Sequence, residues 1–125
     1  MAGLRSSFAA AGCLLWLGGA VGCNAQRKQE CDAFLSAMTP LQEGTPSDET
    51  VDRVRESVSA LELQDQPLHE YATNYKNTLE VLSGTLKLKA GAGPDGPPVG
   101  TEDVIKKNLK EARTDRDDVA RYCTP

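Results

Sequence analysis

The most reactive residue type in this 125-residue chain is cysteine, because a thiol can be acylated, oxidised or bound to a metal, and the chain has four cysteines. Cys13 and Cys23 lie in or at the end of an apolar run, whereas Cys31 and Cys123 lie far apart in the polar remainder. His69 is the only histidine, and with Cys31 and Cys123 it forms no close-spaced pair of metal ligands. We therefore expect the cysteines to serve attachment and cross-linking, and we assign no catalytic residue, metal site or cofactor.

Residues 1–22 are typical of an export signal. Arg5 is the one charged side chain before an unbroken run of apolar or small residues from 8 to 22. As a helix those 15 residues would span about 22 Å, less than the roughly 30 Å of a bilayer's hydrocarbon core. Polar residues start at Asn24, so we expect a cleaved signal peptide rather than a transmembrane anchor or a buried core helix.

The apolar run ends in Ala20, Val21 and Gly22, directly before Cys23. Here the chain resembles bacterial lipoprotein precursors, whose lipobox places aliphatic and small residues before a modified cysteine. The resemblance covers residues 1–23 and departs from the family at Ala20, where leucine is most common. It implies a diacylglycerol thioether on Cys23, cleavage after Gly22 and acylation of the new amino group.

The predicted mature protein, residues 23–125, would then be tethered to a membrane through Cys23. Two or three acyl chains make such an attachment effectively permanent. Asn24 after the cysteine, by the same resemblance, favours the outer membrane. The alternative is ordinary signal-peptidase cleavage after Cys23-Asn24-Ala25, which would release a soluble periplasmic protein beginning at Gln26.

Cys13 leaves with the signal peptide, so Cys31 and Cys123 remain in the mature chain besides the predicted anchor. An exported protein matures in an oxidising compartment, and there two such thiols pair. We expect a Cys31–Cys123 disulfide, with free buried thiols as the alternative. By chain-entropy arguments, a disulfide that closes a loop of that length stabilises the folded state by about 4–5 kcal/mol.

The sequence of the predicted mature chain indicates an all-α fold. Apolar residues recur at helical spacing in four segments, and in no stretch do apolar and polar residues alternate as in a half-buried strand. The predicted helices cover about residues 27–39, 67–89 and 101–123, and the second of the four begins at Thr45 or Ser47 and ends before Asp65. Their apolar stripes are Cys31, Phe34, Leu35 and Met38 in the first; Val51, Val54, Val58 and Leu61 in the second; Leu68, Ala72, Tyr75, Leu79, Leu82 and Leu86 in the third; and Ile105, Leu109, Ala112, Val119 and Cys123 in the fourth.

Local signals set the predicted boundaries. Pro40 should stop the first helix, and Pro46 suits the first turn of the second. Thr101 is a good cap for the fourth helix. Gly84 inside the third helix lowers helix stability by about 1 kcal/mol relative to alanine. We expect it to permit a close approach of a neighbouring helix.

Four Gly and three Pro among residues 90–100 predict a flexible, exposed loop. The other connections are short, which favours an up-down-up-down four-helix bundle. In that topology the start of the first helix and the end of the fourth meet at one end, where Cys31 and Cys123 lie. Arg116 and the neighbouring aspartates make the last helix polar, so its final turn would fray unless something pins it.

Three motifs resemble reactive or binding sites. Residues 91–96 match G-x-G-x-x-G, but a helix precedes them and Pro94 removes an amide donor, so we interpret them as loop. The run 115–118 starts like a calcium loop without the required Gly and Glu, which favours a solvated helix face. His69 beside Glu70 has no nucleophile signature and should lie at the surface.

Tyr71 and Tyr75 suit either the edge of the core or a partner-binding stripe. The net charge of −4 and the absence of a basic cluster argue against nucleic-acid binding. We expect a lipid-anchored envelope protein with a structural or protein-interaction role, without enzymatic activity and with no small-molecule substrate identified. The alternative is a soluble periplasmic binding module or inhibitor that holds a small apolar ligand between helices.

Overall fold

The computed structural model describes the backbone from Ala20 and the side chains from Asn24 to Pro125, so the predicted signal residues 1–19 lie outside it. The described chain contains four α-helices and no strand, which confirms the all-α prediction. In chain order they are α1 (Ala20–Met38), α2 (Asp48–Ser59), α3 (Gln66–Ala90) and α4 (Thr101–Cys123).

The end of α1 is shaped by Pro40. The α-helix stops at Met38, as predicted, but the chain tightens into a 3-10 turn, Thr39–Leu41, rather than leaving helical structure at once. This turn carries Leu41 into the core, where its side chain is fully buried. Gly44 then adopts φ +65°, a left-handed conformation that side chains with a Cβ avoid, and the chain turns toward α2.

Side-chain caps start α2 and α3. The Ser47 hydroxyl accepts a hydrogen bond from the Thr50 amide, and the Asp65 carboxylate accepts one from the Leu68 amide. Pro46 therefore precedes the cap of α2 instead of occupying its first turn. Of the two starts that the sequence left open, Thr45 and Ser47, the structure has Ser47. The placement of Pro46 in the first turn was wrong, because Ser47, with an extended backbone, takes the capping position after it.

Thr101 does not cap α4. It is the first helical residue, and the cap position belongs to Gly100, whose φ is +92°. The buried Thr101 hydroxyl instead donates a 2.6 Å hydrogen bond to the Pro98 carbonyl and so fixes the end of the preceding loop. The predicted cap was wrong because a left-handed glycine already reverses the chain before Thr101.

Polar contacts between helices show the antiparallel order. Asp52 near the start of α2 bonds Ser83 late in α3, and Lys89 at the end of α3 pairs with Glu102 at the start of α4. The start of α1 and the end of α4 meet through Cys31. The helices thus form the predicted up-down-up-down bundle.

Most residues of the predicted stripes form the core, which also includes Leu41, whereas Leu35, Leu61 and Cys123 are only partly buried against it. Phe34 and Tyr75 are fully buried and meet edge to face at its centre, with ring centroids 6.2 Å apart. Tyr75 is thus interior rather than at the core edge, and Tyr71 is half-buried beside Tyr122. Gly84 is exposed, and a Cβ there would meet no atom within 4 Å, so the expected close helix crossing is absent at this position.

Candidate functional site at the disulfide end of the bundle

The predicted attachment residue, Cys23, is part of the α1 backbone. Ala20, Val21 and Gly22 form the turn before it, and the side chains of these four residues lie outside the described part of the chain. Cys31 follows in the same helix, about 12 Å further along the axis at 1.5 Å per residue. The helix therefore leads from the predicted anchor to the bridge without an intervening loop.

Cys31 and Cys123 form a disulfide, as the sequence predicts, with an S–S distance of 2.06 Å. The bridge joins α1 to the last residue of α4 across a sequence separation of 92. Cys31 is buried and Cys123 is half-buried. Because α1 is cross-linked to the last residue of α4 here, the last turn of α4 is pinned despite its polar sequence.

Five side chains at the disulfide end of the bundle form a group that we call the base cluster: Arg27, Glu30, Asp65, Tyr71 and Tyr122. The Arg27 guanidinium lies 4.5 Å from the centre of the Tyr122 ring and donates a 2.9 Å hydrogen bond to the Tyr122 carbonyl. Tyr71 packs against the same ring at 5.9 Å between centroids. Tyr122 thereby links α1, α3 and α4.

Asp65 ties the base cluster to the start of α3. The Tyr122 hydroxyl donates a 2.8 Å hydrogen bond to the Asp65 carboxylate. Burial is the first reason that the pKa of Tyr122 is raised, and the hydrogen bond to Asp65 adds to it. The phenol therefore stays protonated and keeps donating to the carboxylate at neutral and moderately alkaline pH.

Glu30 closes the base cluster from α1. Its Oε1 atom accepts hydrogen bonds from the backbone amides of Gln64, at 2.6 Å, and Asp65, at 3.1 Å. Glu30 is only 9% exposed, and these amides belong to the connection that precedes α3. A charged acceptor on two amides fixes that connection against α1.

A cleft of about 620 Å³ lies beside the disulfide, on the edge between α1 and the end of α4. Arg27 and Lys28 border it, and Leu35, Ala120 and the disulfide contribute apolar surface. It reaches Asn24, the residue after the predicted attachment site. The cleft is large enough for a small organic ligand and is placed outside the core rather than between the buried helix faces.

The remaining candidate groups lie elsewhere. His69 is exposed in the first turn of α3, where the sequence predicts it, with Glu70 exposed beside it. The loop 91–100 contains the G-x-G-x-x-G match and follows α3, as expected. Among residues 24–125, no group of three metal-ligating side chains comes together.

Two polar clusters were not visible in the sequence. Asp52 accepts a 2.6 Å hydrogen bond from Ser83 and a 2.9 Å one from Lys87, and these bonds, the first above all, lower the pKa of Asp52. Ser83 is 2% exposed, so its hydroxyl joins α2 to α3 rather than meeting a substrate.

The second cluster lies at mid-bundle, where Tyr75 faces the charged stretch of α4. The Tyr75 hydroxyl and Arg116 Nε are buried without hydrogen-bond partners among the described residues. Burial, followed by the charges of Glu111 and Asp118, raises the pKa of Asp115 to about 6. This stretch of α4 holds a carboxylate in an unfavourable environment.

Comparison of the chain with protein-family models, curated proteins and solved structures found no match. None of the helices in the described part of the chain has the length and apolar composition needed to cross a membrane.

Proposed function

We propose that this protein is a bacterial envelope lipoprotein, tethered through Cys23 to the outer membrane or another envelope membrane, with a structural or protein-interaction role. The signal sequence 1–22, the lipobox residues Ala20, Val21 and Gly22, and the oxidised Cys31–Cys123 pair support export. No catalytic residues are assigned.

The observation that carries the proposal is the continuity of α1 from Cys23 to the bridged Cys31. A flexible linker would let the domain move away from its anchor, whereas a helix bridged to α4 keeps the disulfide end of the bundle close to Cys23. The base cluster braces the same end. The opposite end of the bundle is then presented away from the membrane.

This proposal can be tested by measuring the intact mass of the protein after it has been purified in detergent from its native membranes. We expect a chain that begins at Cys23 and carries the added mass of a diacylglycerol and an acyl group. Cys23→Ser should abolish the added mass and release the protein from the membrane fraction, whereas Cys31→Ser should leave both unchanged. Full-length protein that retains Met1 in the cytosol would refute the proposal.

The cleft beside the disulfide favours a second candidate, a soluble periplasmic binding module that takes a small apolar ligand. Its apolar wall of Leu35, Ala120 and the disulfide suits such a ligand and lies outside the segment that the alternative cleavage would remove. This candidate requires cleavage before Gln26, since an acylated Cys23 would instead be fixed in the membrane. A lipid-free N-terminus at Gln26 in the same mass measurement would favour it over the tether.

A further inference from the structure

A second cleft, of about 370 Å³, is bordered by α4 and by the turn that joins α1 to α2. We call it the α4 cleft. Three basic residues of α4 line it, Lys106, Lys110 and Arg113. They are four and three residues apart, so they lie on one face of the helix. Thr45 from the turn and Thr114 from α4 add hydroxyl groups to the same lining.

Arg113 fixes the turn against α4. Its Nε atom donates a 3.1 Å hydrogen bond to the Leu41 carbonyl, and its Nη2 atom donates a 2.6 Å one to the Gly44 carbonyl. A guanidinium group has five N–H donors, so the half-buried Arg113 keeps donors for a further acceptor after making these two bonds. The cleft is therefore shaped by a contact between distant parts of the chain, and one of its three cations is already held in place.

The lining of the α4 cleft is net positive in a chain whose formal net charge is −4. Among the described residues that line it, Asp117 is the only acidic one, against the three basic residues. Glu43, next to Gly44 in the turn, is exposed and does not line the cleft. The lining thus has two more positive than negative side chains.

The two lysines of the cleft lack an ionic partner. Lys106 and Lys110 are exposed, and neither forms an ion pair with another described residue. Glu102 lies four residues before Lys106, but its carboxylate pairs with Lys89 at 2.6 Å. Like charges four residues apart on a helix repel each other, and an anion bound between them would relieve that repulsion.

We propose that the α4 cleft binds a phosphate group, held by Lys106, Lys110 and Arg113. Phosphate oxygens point in several directions, so one group can accept hydrogen bonds from two ammonium groups and a guanidinium group at once. A phosphate monoester has a charge of about −1.5 to −2 at neutral pH, which matches the charge of the lining. The site is separate from the cleft beside the disulfide, and it goes beyond the proposed function because it requires no lipid on Cys23.

The test is isothermal titration calorimetry with inorganic phosphate on the protein purified from its native membranes in a neutral detergent. Sodium chloride keeps the ionic strength constant. We expect one saturable site per chain. Lys110→Gln should weaken binding about tenfold, because it removes a charge-assisted hydrogen bond from the centre of the site.

Lys107→Gln is the matched control, because Lys107 is exposed on the same helix and does not line the α4 cleft. It removes the same charge, and we expect it to change the affinity less than about twofold, since salt screens a lysine that does not touch the ligand. Circular dichroism checks that both variants keep their helices. Absence of saturable binding overturns the proposal, as does an equal loss of affinity in the two variants.

A second titration identifies the source of the phosphate group. Glycerophosphoglycerol is a water-soluble diester with the chemistry of a phospholipid headgroup. Tighter binding of inorganic phosphate assigns the site to free phosphate or a monoester, whereas tighter binding of the diester assigns it to a headgroup. In either case Lys110→Gln must weaken the binding, and a site that tolerates this change is not the α4 cleft.

The same preparation is also weighed intact, so the two proposals fail separately. Lipidated protein that does not bind phosphate refutes the α4 cleft as a phosphate site and leaves the tether standing. Lipid-free protein that binds phosphate through Lys110 refutes the tether and retains the site.

Discussion

Tyr122 and the Leu68 amide donate to the same carboxylate oxygen, Oδ2 of Asp65, at 2.8 and 3.2 Å. One atom thus caps the first turn of α3 and receives the hydrogen bond from the penultimate residue of α4. The start of one helix and the end of another are therefore joined through this one carboxylate.

Tyr122→Phe should lower the free energy of unfolding by about 1–2 kcal/mol, because it removes a hydrogen bond to a charged acceptor. Urea denaturation at neutral pH measures the loss. Tyr71→Phe is the matched control, because it alters the neighbouring ring and keeps the Tyr122–Asp65 bond. Equal midpoints for the two variants would contradict the role given to this bond.

Reduction of the Cys31–Cys123 bridge should lower the melting temperature, and Cys31→Ser should reproduce the shift. The bridge spans 92 residues, so its loss should lower the free energy of unfolding by about 4–5 kcal/mol by chain-entropy arguments. Chemical denaturation with and without reductant measures this. The Cys31→Ser, Cys123→Ser double variant should not respond to reductant, and an unchanged melt of the parent protein would show that the bridge adds no stability.

Gly84→Ala should stabilise the fold by about 1 kcal/mol, since alanine is the better helix former and its Cβ would meet no neighbour. Thermal denaturation is the measurement. The same substitution at Gly44 should have the opposite sign, because φ there is +65°. If both changes destabilise, Gly84 has a packing role that its exposure does not reveal.

Asp115→Asn should raise the melting temperature at pH 7 and leave it nearly unchanged at pH 4. The pKa of Asp115 is about 6 in the folded protein and about 3.8 in its ordinary state, so the fold prefers the protonated form. The stability linked to that proton is fully present below pH 3.8 and is lost as the pH rises through 6.

Asp117→Asn controls for net charge in this experiment, because it removes one acidic group from an exposed position of the same helix. Melting temperatures measured from pH 4 to pH 8 for both variants show whether the pH dependence of stability arises from Asp115. If the melting temperature of Asp115→Asn falls with pH as steeply as that of the parent protein, Asp115 is not the group responsible.

The helices and their buried faces could be predicted because each stripe is a local property of the sequence. Val51, Val54 and Val58 recur at helical spacing, and all three are buried in α2. The disulfide was predicted from the expected export of the chain and from the expected bundle topology. Errors occurred where tertiary or loop geometry decides the outcome, as at Gly84, which faces open space, and at Thr101, which a left-handed glycine precedes.

The base cluster could not be predicted, because its contacts join residues far apart in the chain. Arg27 meets Tyr122 across 95 residues, and Glu30 meets Asp65 across 35. No periodicity or motif marks such pairs, and from the sequence alone other arginines and acidic residues could form these contacts equally well. Only the register between helices selects them.

The bridge between α1 and α4 closes residues 31–123 into a covalent ring. A protease that nicks the exposed connection 91–100 would open this ring without freeing either fragment, since sulfur still joins the two pieces. The severed α4 would remain on its partners, and electrophoresis would reveal the nick only after reduction. The two pieces therefore stay covalently joined after a single cut in this exposed loop.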